Sequence, residues 1–161
     1  MIWILYCAFA IVTMFLWNVI HEMSHVLAAK MLGHIKSWVI KPYPHIYKKH
    51  FRFAGAYWKW NENPPSETKR GIISLAPRAM DVVAIELLIV AAFLSGTLQI
   101  LLLIFCSGGI IDLFVGSIGY SENSDLKQAA KRLKTDPWKL SVVGFVFCFW
   151  GALGVLAFFI N

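Results

Sequence analysis

Charge is missing from the start of this chain. Residues 1–20 contain no Lys, Arg, Asp, Glu or His. A secretory signal peptide begins with a basic segment before its apolar core. The sequence therefore predicts that this apolar segment is a retained helix and not a cleaved leader.

Cysteine is scarce, and the few cysteines form no pattern. Cys7, Cys106 and Cys148 all lie in apolar runs at spacings that fit no zinc motif, so we expect small packing residues and not disulfides. The formal net charge is +6, yet the basic residues are not interleaved with aromatic residues in the way of a nucleic-acid platform. We expect no nucleic-acid partner.

Apolar residues, by contrast, are abundant. Of 161 residues, 58% are hydrophobic and the mean hydropathy is +0.64, which indicates one integral membrane domain over 1–161. A crossing takes about 20 apolar residues. The sequence predicts an all-α membrane protein with four transmembrane helices, over residues 2–29, 72–94, 98–118 and 140–160. The second span is interrupted by Arg78, Asp81 and Glu86.

Basic residues cluster in the first and third of the three predicted loops. Cytoplasmic loops carry the excess of Lys and Arg, so we expect both basic loops in the cytoplasm and both termini outside. The expected setting is the lipid bilayer of a bacterial plasma membrane. The residues behind this prediction are Lys30, Lys36, Lys41, Lys48, Lys49, Arg52, Lys59, Lys69 and Arg70 in the first group, and Lys127, Lys131, Arg132, Lys134 and Lys139 in the second.

The first loop, residues 31–70, contains two segments rich in aromatic and β-branched residues. Residues 35–40 and 50–60 predict two strands at the membrane surface, separated by Pro42 and Pro44. An aromatic interfacial belt explains the same residues and is compatible with the strands.

The third loop predicts a short surface helix. It covers residues 125–134, with Ser124 as its cap and Pro137 as its stop. A helix lying on anionic lipid fits this composition, and the segment gives no catalytic signal.

The first predicted span carries the sequence His21-Glu22-Met23-Ser24-His25. Two histidines four apart lie on one helix face and can share a Zn²⁺ ion, and the glutamate between them is the usual general base. Asn18 extends this polar stripe, and we expect its side chain to orient a ligand or to stabilise an oxyanion. A hydrogen-bonded polar network within the helix bundle is the alternative interpretation.

A catalytic zinc ion needs a third protein ligand. Asp112 is the sole charged residue of the third span, lies at nearly the depth of His25, and shares its helix face with Gly108, Gly116 and Gly119. Small residues let helices approach closely. Asp112 is therefore the predicted ligand, and its alternative role is to pair with Arg78. Asp81 is the rival ligand, although Arg78 and Asp81 are three apart and can pair with each other.

These motifs together resemble the intramembrane site-2 protease family of zinc metalloproteases. The matching residues are the HExxH at 21–25, Ala76-Pro77 early in the second span, and Asp112 in the third. The resemblance covers the chain to about Gly119. It implies a three-helix zinc-binding core, zinc held by both histidines and Asp112, water activated by Glu22, and a strand-rich loop that presents the substrate. Asp112 lies between Ile111 and Leu113, where the family has Leu-Asp-Gly.

The predicted function is an intramembrane zinc metalloprotease that cleaves membrane-associated or transmembrane substrates. Glu22 would take a proton from water and return it to the leaving amine. Two alternatives stay open: a zinc sensor or carrier that uses His21 and His25 but not Glu22, and a structural membrane partner whose polar groups only hold helices together. Loss of hydrolysis with retained zinc in Glu22→Gln would separate these classes.

Overall fold

Long apolar runs build most of the molecule as helices. The computed structural model describes residues 2–33, 35–47, 50–52, 54–61, 63–118 and 124–160. His34, Lys48, Lys49 and Gly119 therefore lie outside the described residues. The described parts form five helices: α1 (Ile2–Met31), α2 (Glu67–Ala92), α3 (Thr97–Ile118), α4 (Asp125–Leu133) and α5 (Pro137–Ile160).

Three of these helices are long and apolar enough to cross a membrane. They are the segments Trp3–Met31 of α1, Thr97–Ile118 of α3 and Pro137–Leu156 of α5. Large apolar side chains such as Trp3, Ile4 and Phe149 are mostly exposed on them, as expected for helices whose outer faces contact lipid. The prediction of a mainly helical membrane protein is confirmed to this extent, while a fourth crossing through α2 stays a prediction.

Helix α2 is the centre of the bundle. It packs against α1, α3, α4 and α5. A buried stripe runs along its length at spacings of three and four residues, which brings one face repeatedly to the interior. The stripe consists of Ser74, Pro77, Asp81, Ala84, Leu88 and Ala91.

Two glycines of α3 let neighbouring side chains approach its backbone. The indole of Trp17 in α1 fills the space that a side chain at Gly108 would need, and its ring nitrogen donates to the carbonyl of Phe105. A Cβ at Gly116 would lie 2.5 Å from Cζ of Arg78 in α2. These contacts show how the predicted glycine face works: it admits a tryptophan and an arginine of adjacent helices.

The first loop forms strands, as predicted, but more of them. Strand β1 (Ile35–Lys41) pairs antiparallel with β4 (Gly55–Trp60), and β2 (His45–Tyr47) pairs antiparallel with β3 (His50–Arg52). The predicted continuous strand over 50–60 is thus two pieces, β3 and β4. In the described part of the chain, β4 has β1 on one side and no strand on the other.

Helix α4 begins and ends close to the predicted residues, but Pro137 has a different role. Ser124 caps its start by accepting from the backbone N–H of Lys127. Lys134 ends it in the left-handed conformation, with φ of 54°. Pro137 is the first residue of α5 and not the stop of α4. A proline fits there because the first helical N–H needs no partner within the helix.

Candidate metal centre

His21 and His25 lie in the C-terminal half of α1, one helical turn apart. Their ring centroids are 5.2 Å apart with nearly perpendicular planes. His25 is buried and His21 partly buried. The spacing in the sequence therefore does bring both imidazoles to one face, towards α2 and α4.

His25 is oriented by a carbonyl that a proline has left without its helical donor. Nδ1 of His25 lies 2.7 Å from the carbonyl oxygen of Ile73 in α2. In a regular helix that oxygen would accept from the N–H of residue 77, but Pro77 has none. A carbonyl only accepts, so Nδ1 of His25 donates to it, and Nε2 is left with a lone pair that can bind a metal.

His21 is oriented by a carboxylate. Its Nδ1 lies 2.7 Å from Oδ2 of Asp112 in α3. Histidines that bind metals usually donate their other ring nitrogen to a carboxylate or carbonyl. Asp112 thus contacts the Nδ1 side of His21, and its predicted role as a metal ligand stays a prediction.

The two Nε2 atoms converge on a different aspartate. Oδ2 of Asp125, the first residue of α4, lies 2.9 Å from Nε2 of His21 and 3.4 Å from Nε2 of His25. His21, His25 and Asp125 form a group whose ligand atoms all lie within 4.8 Å of one another. These three residues can hold a metal ion.

The sequence does not mark Asp125 as a metal ligand, because its position in the first turn of a helix already explains an acidic residue. An acidic residue in the first turn stabilises a helix through the macrodipole, and the loop showed no metal motif. Its predicted location on the same side of the membrane as the histidine pair was the available signal. Burial opposes ionisation of Asp125, but hydrogen bonds to His21 and His25 outweigh it and lower the pKa of this carboxyl below its usual range.

Behind Asp112 lies a buried ion pair. Nη1 of Arg78 donates to Oδ2 of Asp81 and to the backbone carbonyl of Asp112, both at 2.7 Å, and lies 3.6 Å from the Asp112 carboxylate. Asp81 is 1% exposed. The predicted pairing of Arg78 with Asp81 is present, and it fixes the segment of α3 that carries Asp112.

Three other polar residues, Asn18, Glu86 and His45, are not part of the metal-binding group. Asn18 is exposed and donates to the carbonyl of Met14 in its own helix, so the structure does not bring it to the site. Glu86 is exposed on α2. His45 contacts Tyr57 and the carbonyl of Tyr43 and remains without a sign of metal binding.

Glu22 lies beside the histidine pair in a cavity of about 350 Å³. Its Oε2 accepts a 2.8 Å hydrogen bond from the backbone N–H of Ala56 in β4. His25 and Asp125 also line this cavity, together with side chains of β4, α2 and α4. The carboxylate of the predicted general base, two potential metal ligands and a strand edge therefore share one space.

The donor set fits zinc. Zinc binds histidine nitrogen at 2.0–2.1 Å and carboxylate oxygen at 2.0–2.2 Å in tetrahedral geometry, which places ligand atoms about 3.4 Å apart. The observed separations of Asp125 Oδ2 from the two Nε2 atoms, 2.9 and 3.4 Å, are close to that value. Three protein ligands would leave the fourth position to water or substrate.

No family model, curated protein or solved structure matches this chain. The residues of the site therefore carry the functional assignment by themselves.

Proposed function

We propose that this chain is a membrane-embedded zinc metallopeptidase similar to the site-2 proteases. The observation that carries the proposal is the convergence of Nε2 of His21, Nε2 of His25 and Oδ2 of Asp125, two of which, His25 and Asp125, line one cavity with Glu22. The Glu22 carboxylate lies beside the histidines without bonding to either. A purely structural polar network would not need a carboxylate in that position.

The ligands in this proposal are His21, His25 and Asp125. Asp112 orients His21, and the Ile73 carbonyl orients His25. Zinc bound there would act as a Lewis acid that lowers the pKa of water and polarises a carbonyl. This differs from the ligand set implied by the family resemblance, in which Asp112 binds the metal directly.

Glu22 is the proposed general base. It takes a proton from the attacking water as the new C–O bond forms, and it gives that proton to the amine nitrogen as the C–N bond breaks. The hydrogen bond from Ala56 holds its carboxylate at the cavity wall. In the described part of the chain no strand pairs with the second edge of β4. Beyond the Ala56 N–H, which donates to Glu22, this edge would bind an extended substrate by strand addition, since an unpaired edge offers backbone donors and acceptors.

The proposed setting is a lipid bilayer with four crossings and both termini outside. Helix α2 would be the fourth crossing: its Arg78 and Asp81 are paired inside the bundle, and paired charges are the kind that membranes tolerate. The metal-binding group would then lie near the cytoplasmic surface, where α4 and the strands are. The substrates would be membrane proteins or peptides.

The test is peptide hydrolysis by purified protein in zinc-containing detergent or nanodiscs, followed by identification of new termini by mass spectrometry. Glu22→Gln is the matched variant because it keeps the size of the side chain but cannot take the proton. We expect full zinc content and a loss of cleavage of about 10²–10⁴-fold. Equal cleavage by both proteins, or none by zinc-loaded wild type, would refute the peptidase.

A further inference from the structure

We propose that the cavity beside Glu22 binds a carboxylate of the peptide substrate between Arg70 and Arg132, about two or three residues from the cleaved bond. This inference rests on the proposed peptidase function and names its substrate class: peptides with a free C-terminal carboxylate, or with an acidic side chain, near the scissile bond.

The two arginines enter the same cavity as the metal-binding group, from different helices. Arg70 comes from the first turn of α2 and Arg132 from the last turn of α4, and both line the cavity with Glu22, His25 and Asp125. The same cavity is thus lined by acidic and imidazole groups and by two guanidinium groups. Guanidinium groups bind carboxylates by paired hydrogen bonds.

Among the described residues, the two arginines are only partly neutralised by an acidic side chain. Glu67 lies 3.0 Å from Nη1 of Arg70 and 3.8 Å from Nε of Arg132. Two cations therefore share one carboxylate, and Glu67 is 63% exposed. An exposed pair of this kind contributes little stability, so a substrate carboxylate can replace it.

The hydrogen bonds of the arginines leave room for a stronger partner. Arg132 reaches the Arg70 carbonyl, Ser74 and Gln128 only at 3.3–3.5 Å. Nε of Arg70 is buried without a hydrogen-bond partner among the described residues. Charge-assisted bonds to a carboxylate are normally about 2.7–2.9 Å long, so a bound carboxylate would improve on these contacts.

Helix geometry gives the distance from the metal-binding group. Asp125, Gln128 and Arg132 all line the cavity, and seven residues of helix span about 10 Å. Arg132 reaches back towards Gln128, which shortens this to between about 5 and 10 Å. An extended chain covers about 3.3–3.6 Å per residue, and this spacing corresponds to two or three residues.

Binding can be measured apart from catalysis. The protein is the zinc-loaded Glu22→Gln variant in phosphatidylcholine nanodiscs. The probes are a fluorescent hexapeptide with a free C-terminal carboxylate, its C-terminal amide, and an amide that ends in glutamate. We expect the free acid to bind at least tenfold more tightly than the plain amide. The glutamate-ended amide shows whether a side-chain carboxylate is accepted as well.

Three further variants locate the effect. Arg70→Gln combined with Arg132→Gln should abolish the preference for the acid, whereas Lys131→Gln, at a neighbouring exposed position outside the cavity, should leave it unchanged. Glu67→Gln should strengthen binding of the acid, because it removes the competing carboxylate. Gain of affinity in Glu67→Gln cannot result from misfolding.

The outcomes separate this inference from the peptidase itself. Equal binding of acid and amide, or an acid preference that survives the double arginine variant, would overturn the carboxylate site. So would arginine-dependent binding of phosphatidylglycerol lipid with no discrimination between the peptides. Arginine-dependent acid binding without cleavage by wild type would support the carboxylate site and refute the peptidase. Cleavage without acid preference would do the reverse.

Discussion

The two aspartates that contact His21 have different neighbours, although their side chains are about equally exposed. Asp112 on α3 lies beside Arg78 and the buried Asp81. Asp125 is at the start of α4, at the wall of a cavity that Glu22 and two arginines also line. In the proposed site, Asp112 would hold His21 in position, and the cavity beside Asp125 would meet substrate. The proposed metal site would thus combine a buried scaffold, the Arg78–Asp81 pair, with an accessible reaction space.

Replacing each of the two aspartates should show the difference between them most clearly, as a difference in zinc affinity. Asp125→Ala removes a proposed ligand, and zinc affinity should fall about 100-fold or more. Asp112→Asn removes only the carboxylate that orients His21, and a loss of about 10–100-fold is expected for such a partner. Zinc content and competition with a chelator measure both, with His25→Ala as the zinc-free reference. A larger loss in Asp112→Asn than in Asp125→Ala would exchange their roles.

The buried scaffold should depend on Asp81 for stability. Asp81→Ala leaves Arg78 without its closest carboxylate partner in the apolar interior, and removing one member of a buried pair costs about 3–5 kcal/mol. Glu86→Ala is the control on the same helix, because Glu86 is exposed and should change stability little. Unfolding in detergent micelles measures the difference. Similar stability of both variants would show that the Arg78–Asp81 pair is not needed.

Pro77 should affect the affinity for zinc as well as the stability of α2. Pro77→Ala restores an N–H that competes with His25 for the Ile73 carbonyl. Zinc affinity should therefore fall several-fold while α2 gains stability, since proline in a helix interior costs about 3 kcal/mol. Pro137→Ala, at the start of α5, is the control and should leave zinc binding unchanged. Unchanged zinc affinity in Pro77→Ala would remove this proposed orienting role.

The substitution with the smallest expected effect tests on which side of the membrane α4 and the cavity lie. Lys131→Cys in α4, in a background with the three native cysteines replaced, should be labelled by a membrane-impermeant thiol reagent only after the cells are opened. The substitution itself should not alter zinc content. Labelling in intact cells would place α4 and the cavity on the outer side.

The sequence was sufficient for the parts of the site with local periodicity. The four-residue spacing of His21 and His25 predicts their shared face, and the apolar runs predict three of the helices as membrane-spanning segments. A lone charge in an apolar span is conspicuous and points to Asp112, although its contact is with His21 Nδ1 and not with the two Nε2 atoms. The prediction that it binds the metal directly remains untested.

The parts that could not be predicted depend on how the helices meet. Asp125 approaches the histidines because α4 packs against α2 and α5, and no spacing within α4 encodes that contact. The donor to the Ile73 carbonyl is His25 of α1, and this contact likewise depends on how two helices pack together. For Asn18 the spacing points to the site, but the structure shows its side chain bonded elsewhere. It donates a hydrogen bond to a backbone carbonyl of its own helix. Residues 50–60 formed two strands where the pattern alone suggested one.

Anomalous diffraction at the zinc absorption edge tests the central claim most directly. Crystals of the purified protein should give one strong anomalous peak per chain, bonded to Nε2 of His21, Nε2 of His25 and a carboxylate oxygen of Asp125, with Asp112 on the far side of the His21 ring. Absence of a peak in zinc-supplied protein, or a peak bonded by Asp112 with Asp125 turned away, would contradict this account.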